Sequence, residues 1–174
     1  MKPMSNAVAP AVEPLLDTVA ERLATKIDAL GADSCEIIGI RTGGVWLAEQ
    51  LRQQLLPQHQ LGELNIAFYR DDFSRIGLHP TVEPSQLPFS IDDRNLILVD
   101  DILYTGRTIR AAMNEIFDYG RPRSITLVVL VDRGRRELPI DAAIYGARIE
   151  LGAEEHVKLH GPNPLRLEIC ATPS

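Results

Sequence analysis

Two hydrophobic rhythms alternate along the chain. Leu16, Val19, Leu23, Ile27 and Leu30 recur at helical spacing and Gly31 follows as a stop, so a helix is expected from Pro14. Cys35–Ile40 is a short apolar run and reads as a buried strand. Past the loop Arg41-Thr42-Gly43-Gly44, the residues Val45, Ala48, Leu51 and Leu55 share a helical face that Pro57 ends. Leu64–Tyr69 is strand-like, whereas 70–93, with Gly77, Pro80, Pro84 and Pro88, has little periodicity, as lids and binding loops often do. Leu96–Val99 and Ile125–Val131 are continuous apolar runs, the pattern of parallel strands covered on both faces. Between them a polar loop, Asp100–Arg107, leads into a helix with the stripe Ile109, Ala112, Met113, Ile116 and Phe117, closed by Gly120 and Pro122. Further short strands are expected at Ala142–Tyr145, His156–Leu159 and Arg166–Ile169. Strands alternating with helices predict an α/β domain with a mostly parallel sheet. Residues 1–13, small, polar or proline, are expected to be a flexible N-terminus, with a single domain over 14–174.

Composition narrows the class. A chain of 174 residues is one domain's length, and 45% hydrophobic with 24% charged residues excludes general disorder. No apolar run approaches the roughly 18 residues that span a bilayer, and the N-terminus lacks the apolar core of a secretory signal. Two cysteines give no disulfide framework, which favours a reducing cytoplasm. No Cys/His spacing suggests zinc, the four histidines are dispersed, and Trp46, Cys35 and Met113 read as core or interface residues. A net charge of −6 weighs against indiscriminate nucleic-acid binding and leaves room for a local basic patch.

The segment from Leu96 to Thr108, LILVDDILYTGRT, carries the chemistry. It sets Asp100 and Asp101 at the carboxyl end of a buried strand, where open α/β sheets bind ligands. The turn that follows opens a helix. Its backbone N–H groups from Thr105 to Thr108, backed by the helix dipole, suit a phosphate. Gly106 permits close approach, and the Thr105 and Thr108 hydroxyls add donors. Like charges repel, so the acids suit hydroxyls, such as those of a ribose, or a hydrated Mg²⁺. Acids beside an anion nest point to a sugar phosphate.

This segment resembles the PRPP-binding signature of the type I phosphoribosyltransferases. Three more segments, Tyr69-Arg70-Asp71-Asp72, Val131–Ile140 (VDRGRRELPI) and Gly39–Gly44 (GIRTGG), make the chain similar to the PyrR family of bifunctional pyrimidine-operon regulators and uracil phosphoribosyltransferases over roughly residues 15–160. The resemblance implies the type I phosphoribosyltransferase fold, with a mostly parallel central sheet flanked by helices, a flexible lid loop at about 70–90 and a small hood. It implies conversion of uracil and PRPP to UMP and pyrophosphate with Mg²⁺ bound alongside PRPP, no metal being held by the protein alone.

Carried over residue by residue, Asp100 and Asp101 would hold the ribose hydroxyls, and Tyr104, Thr105, Gly106, Arg107 and Thr108 the 5′-phosphate. Arg41, Thr42, Gly43 and Gly44 would bind pyrophosphate; related enzymes have a non-proline cis peptide there. Arg70, Asp71, Asp72 and Arg75 would close the lid. Asp132 and Arg133 would form a second pyrophosphate or metal site. Ile102, Tyr104 and the strand around Val157 are candidates for the base, which is small, neutral and suited to backbone groups in an apolar slot. The resemblance also implies UMP- or UTP-linked binding to a pyrimidine-operon leader mRNA and a homo-oligomer, a dimer or higher. Arg22, Lys26, Arg135, Arg136 and Arg148 are the candidate RNA contacts, with Arg121 and Arg123 as further surface cations. Most relatives carry Arg where Gly43 stands, the lid has one basic residue beyond its opening motif, Arg75, and the tail after Gly161 departs from the family pattern. An alternative reading is therefore a catalytically weak UMP/UTP-sensing RNA-binding regulator. A purine or orotate enzyme is disfavoured by the YRDD and VDRG segments.

Overall fold

In the computed structural model, which describes residues 8–66 and 84–172, the order is α1 (Val12–Leu30), β1 (Cys35–Ile40), α2 (Gly43–Leu55), β2 (Leu61–Leu64), β3 (Asn95–Leu103), α3 (Arg107–Tyr119), β4 (Ser124–Asp132), β5 (Ile144–Arg148), β6 (Glu155–His160) and β7 (Arg166–Ala171). The first five strands form one sheet of order β2-β1-β3-β4-β5, every pairing parallel. Strands β6 and β7 form a separate antiparallel pair, the expected hood.

The apolar runs are central because both sheet faces are covered. α1 and α2 pack with Ile37, Ile97, Val99, Val128 and Leu130, while α3 packs with Ile38, Leu96, Leu98, Leu127 and Val129 on the other face. Alternate residues of one strand thus enter opposite cores. The hood joins the first core through Val157, Leu165 and Leu167.

Several boundaries differ from the sequence expectation. α1 begins at Val12, which is buried, so the ordered chain starts before Pro14. β2 is Leu61–Leu64 rather than Leu64–Tyr69, because pairing with Ile37–Ile40 selects the earlier residues despite Gly62; residues 67–69 lie outside the described residues. β3 does not stop at Val99: it continues through Asp100 and Asp101 to Leu103, held by β4. Phe117 is 58% exposed, one step of about 100° round the helix from buried Ile116 and beyond the edge of the stripe. Among the described residues no helix is long and apolar enough to cross a membrane.

Candidate active site

The sheet order reverses direction between β1 and β3. From β1 the chain passes through α2 to β2 on one side; from β3 it passes through α3 to β4 on the other. Such a switch point leaves a crevice at the carboxyl ends of the two strands. Register makes the opening: β1–β3 pairing ends at Gly39↔Val99, whereas β3–β4 pairing runs on to Leu103↔Asp132. Above Val99, β3 therefore has no strand neighbour on the β1 side, and a cleft of about 340 Å³ opens there. Its floor is Asp100, Asp101, Ile102 and Thr108; Thr42, Gly43 and Trp46 form one wall, and Val157, Lys158 and Leu159 of the hood form the other.

Asp100 is 3% exposed. Its Oδ1 accepts the Asp101 N–H at 2.9 Å, and Asp101 Oδ1 accepts the Ile102 N–H at 2.8 Å. These short-range bonds aim consecutive carboxylates of an extended strand, which face opposite ways. Asp101 turns towards α2, where it meets Gly43.

The turn after β3 is built to leave donors available. Gly106 has φ +92°, a left-handed conformation that glycine adopts at no steric cost, and it precedes α3. α3 has no side-chain bond from its N-cap residue and no acid in its first turn, an arrangement that favours an anion at its start. Thr105 Oγ1 accepts the Arg107 N–H at 3.2 Å. The carbonyls, by contrast, are taken from behind: Thr105 O accepts the Glu137 and Leu138 N–H groups at 3.0 and 3.2 Å, and Tyr104 O accepts Arg136 Nη1 at 3.0 Å. Leu138 and Ile140 pack against Gly106.

The loop before α2 contains a cis peptide between Arg41 and Thr42, as the resemblance implies. Arg41 is anchored to β2, with Nε 2.9 Å from Glu63 Oε2 and its N–H donated to Leu64 O at 2.9 Å. Neither Gly43 nor Gly44 has positive φ, so unusual backbone angles do not explain the glycine pair. Close approach is the reason instead: a Cβ on Gly44 would lie 2.5 Å from Val99 O, and one on Gly43 would strike the Asp101 carboxylate.

Across the cleft, among the described residues β6 pairs only with β7. The Thr172 N–H to Glu154 O bond at 2.6 Å, with the pairing Val157↔Ile169, fixes the antiparallel alternation. Every second residue of β6, Glu155, Val157 and Leu159, consequently turns its N–H and C=O away from β7, while the Val157 side chain is buried. In agreement, Glu155 O is reached from the main sheet by Arg133 Nη2 at 2.6 Å.

The expected second pyrophosphate or metal site is arranged differently. The Asp132 side chain is 1% exposed and accepts Gly134 N–H at 2.9 Å, Arg136 Nη2 at 2.8 Å and Arg148 Nε at 3.4 Å. Burial pushes its carboxyl up, but the Gly134 amide and the two guanidiniums outweigh burial and hold it below the usual carboxylate range. It clasps the 133–141 loop rather than facing the cleft. The Arg133 guanidinium lies 3.9 Å from the centre of the Tyr104 ring, and burial lowers its pKa.

Arg136, expected at an RNA surface, faces inward: besides Asp132 and Tyr104 O it binds Ile140 O, Gly134 O and Asp141. Arg22 and Arg148 converge on Tyr145, 5.7 and 4.8 Å from its ring centre, a grouping of α1 with β5 that sequence spacing does not reveal. Lys26 and Arg135 are exposed. Arg70, Asp71, Asp72 and Arg75 lie outside the described residues. Among those described, no cluster of three or more His, Cys, Asp or Glu could hold a metal unaided.

The phosphoribosyl transferase domain family matches residues 11–159. The chain is 57% identical over 160 residues to the bifunctional protein PyrR of Nitrosococcus oceani, covering 88% of this chain and 90% of that one. It is 53% identical over 154 residues to the PyrR of Pseudomonas aeruginosa, covering 88% and 91%. A hypoxanthine-guanine phosphoribosyltransferase from Bacillus anthracis shares the fold, with a TM-score of 0.65 at 20% identity over 84% of this chain and 86% of that one. So does a purine phosphoribosyltransferase from Pyrococcus horikoshii, with a TM-score of 0.58 at 23% identity over 78% and 83%. With the strand-end acid pair and the uncapped helix start already in one crevice, these matches place the chain in the phosphoribosyl transferase domain family, as one of its PyrR members.

Proposed function

We propose that the chain is a uracil phosphoribosyltransferase that also regulates pyrimidine genes through leader mRNA. One observation supports the substrate: Val157, which lines the cleft that holds the acid pair, turns its main-chain N–H and C=O away from β7. A neutral pyrimidine presents an amide edge of one donor flanked by acceptors, which a strand's own alternating groups complement. Ile102 and Val157 would bound the ring.

The 5′-phosphate of PRPP would take the Thr105–Thr108 turn at the start of α3, the ribose hydroxyls Asp100 and Asp101, and the pyrophosphate the Thr42–Gly44 loop. In the reaction, uracil N1 bonds to C1′ as the C1′–oxygen bond to pyrophosphate breaks, and the N1 proton is released. Positive charge develops at the ribose, so two carboxylates beneath it stabilise the transition state more than the ground state. The donors in the cleft are hard carboxylate oxygens on adjacent residues. They fit Mg²⁺ that arrives with PRPP and keeps waters, rather than a metal caged by protein. When bound, Mg²⁺ supplies charge neutralisation on the leaving pyrophosphate.

For regulation, the exposed cations Arg22, Lys26, Arg135 and Arg148 are the candidates, and Arg22 with Arg148 stacked on Tyr145 support it best. The test of the catalytic reading is UMP formation from uracil, PRPP and Mg²⁺. Asp100→Asn is expected to lower kcat/KM by about 10²-fold or more. Tight UMP binding with no turnover by the wild-type chain would favour the sensing regulator instead.

A further inference from the structure

Trp46 is the chain's single tryptophan, and the cleft exposes it beside the reacting groups without giving it a chemical part. The hood beside it shares no strand pairing with the main sheet, so something else must set its height. Strand β6 is secured at both ends by different residues. At its start Arg133, leaving β4, donates to Glu155 O. Just past its end, Gly161 packs against the indole: a Cβ there would stand 2.9 Å from Cε3 and 3.1 Å from Cζ3 of Trp46, and 2.6 Å from Leu165 Cδ2. Val157 lies between these two supports.

We propose that Trp46 is a positioning residue that sets the base-reading edge of β6 over the cleft. This rests on the uracil reading above. Recognition by main-chain groups requires the strand itself to stand at hydrogen-bond distance, because no side chain can reach further to compensate. A rigid indole wedged under the hood's turn supplies that spacing, and no smaller side chain at this position in α2 would fill the gap. Trp46 belongs to the same helix start as Gly43, so the hood is referenced to the element that faces Asp101.

The experiment compares the wild type with Trp46→Ala, Trp46→Phe and Gly161→Ala. Steady-state kinetics are run for both substrates, and calorimetry is run with UMP and with ribose 5-phosphate. Trp46→Ala is expected to raise the KM for uracil at least about 10-fold, with kcat and the KM for PRPP within about threefold. It should weaken UMP but not ribose 5-phosphate. Trp46→Phe should recover part of the loss, and Gly161→Ala, which adds a methyl against the ring without lining the cleft, should reproduce the split. Equal losses for both substrates, or equal weakening of UMP and ribose 5-phosphate, would overturn the proposal. If the wild type binds UMP without turnover, the catalytic reading fails while the UMP comparison still decides the role of Trp46. A wild type that binds UMP no tighter than ribose 5-phosphate overturns both.

Discussion

Gly43 is packed against the carboxylate of Asp101 so closely that a methyl group on its Cα would collide with Oδ2 and lie 2.9 Å from Cγ. The Thr42–Gly44 loop and Asp101, the groups proposed to hold pyrophosphate and ribose, are therefore packed directly against each other. Gly43→Ala is expected to displace Asp101 and lower kcat/KM by at least about 10-fold, as ångström-scale misplacement does. Gly43→Arg, although it adds a cation where most relatives carry one, should lose activity rather than gain it in this backbone. Steady-state kinetics on both variants check this, and a gain for the arginine variant would show that the loop relaxes freely.

Arg136 neutralises Asp132 and binds the carbonyl behind the phosphate turn. Arg136→Met should destabilise the fold by about 3 kcal/mol, because it removes the nearer of the two guanidiniums that hold a buried carboxylate. It should also weaken UMP through the loosened turn. Urea unfolding and calorimetry measure the two effects, and an unchanged unfolding midpoint would contradict the clasp.

Acid should open the same clasp. The Asp132 carboxyl is held below its unfolded value of about 3.9. Its contribution is therefore complete above roughly pH 4 and lost as pH falls through the lower folded value. Wild-type stability should drop across that window, and Asp132→Asn, less stable at neutral pH, should show a shallower slope. Parallel pH profiles for the two proteins would exclude this role.

Arg22 and Arg148, exposed and stacked on Tyr145, should carry phosphate contacts if leader RNA binds here. Replacing both with alanine should weaken filter-bound RNA and lower the dependence of log K on log salt by roughly 0.7 per contact to single-stranded RNA. UMP formation should persist. Unaltered RNA affinity at low salt would remove this surface from consideration.

Local pattern carried the sheet and placed the residues of the candidate cleft at its edge. The unbroken apolar runs of β3 and β4 identify central strands because both of their faces are covered, and Gly106 marks its turn because φ +92° favours glycine. What local pattern missed was set by distant partners. Asp100 and Asp101 look like a loop, yet β4 holds them in a strand. Asp132 and Arg136, four residues apart, meet only because a turn folds the chain back, which no periodicity encodes. Arg22 and Arg148 are brought to one tyrosine by the docking of α1 beside β5.

The turned-out edge of β6 has a genetic corollary. A recognition element made of peptide groups is nearly invisible to replacement of the neighbouring side chains, since these leave the amide and carbonyl of 157 in place. On the proposed reading of the base, drift at His156 or Lys158 would leave pyrimidine selectivity largely intact, and of the single substitutions at 157, proline is the one that deletes the donor outright. Variation in the hood is thus a poor guide to altered substrate choice; movement of its backbone is the quantity to follow.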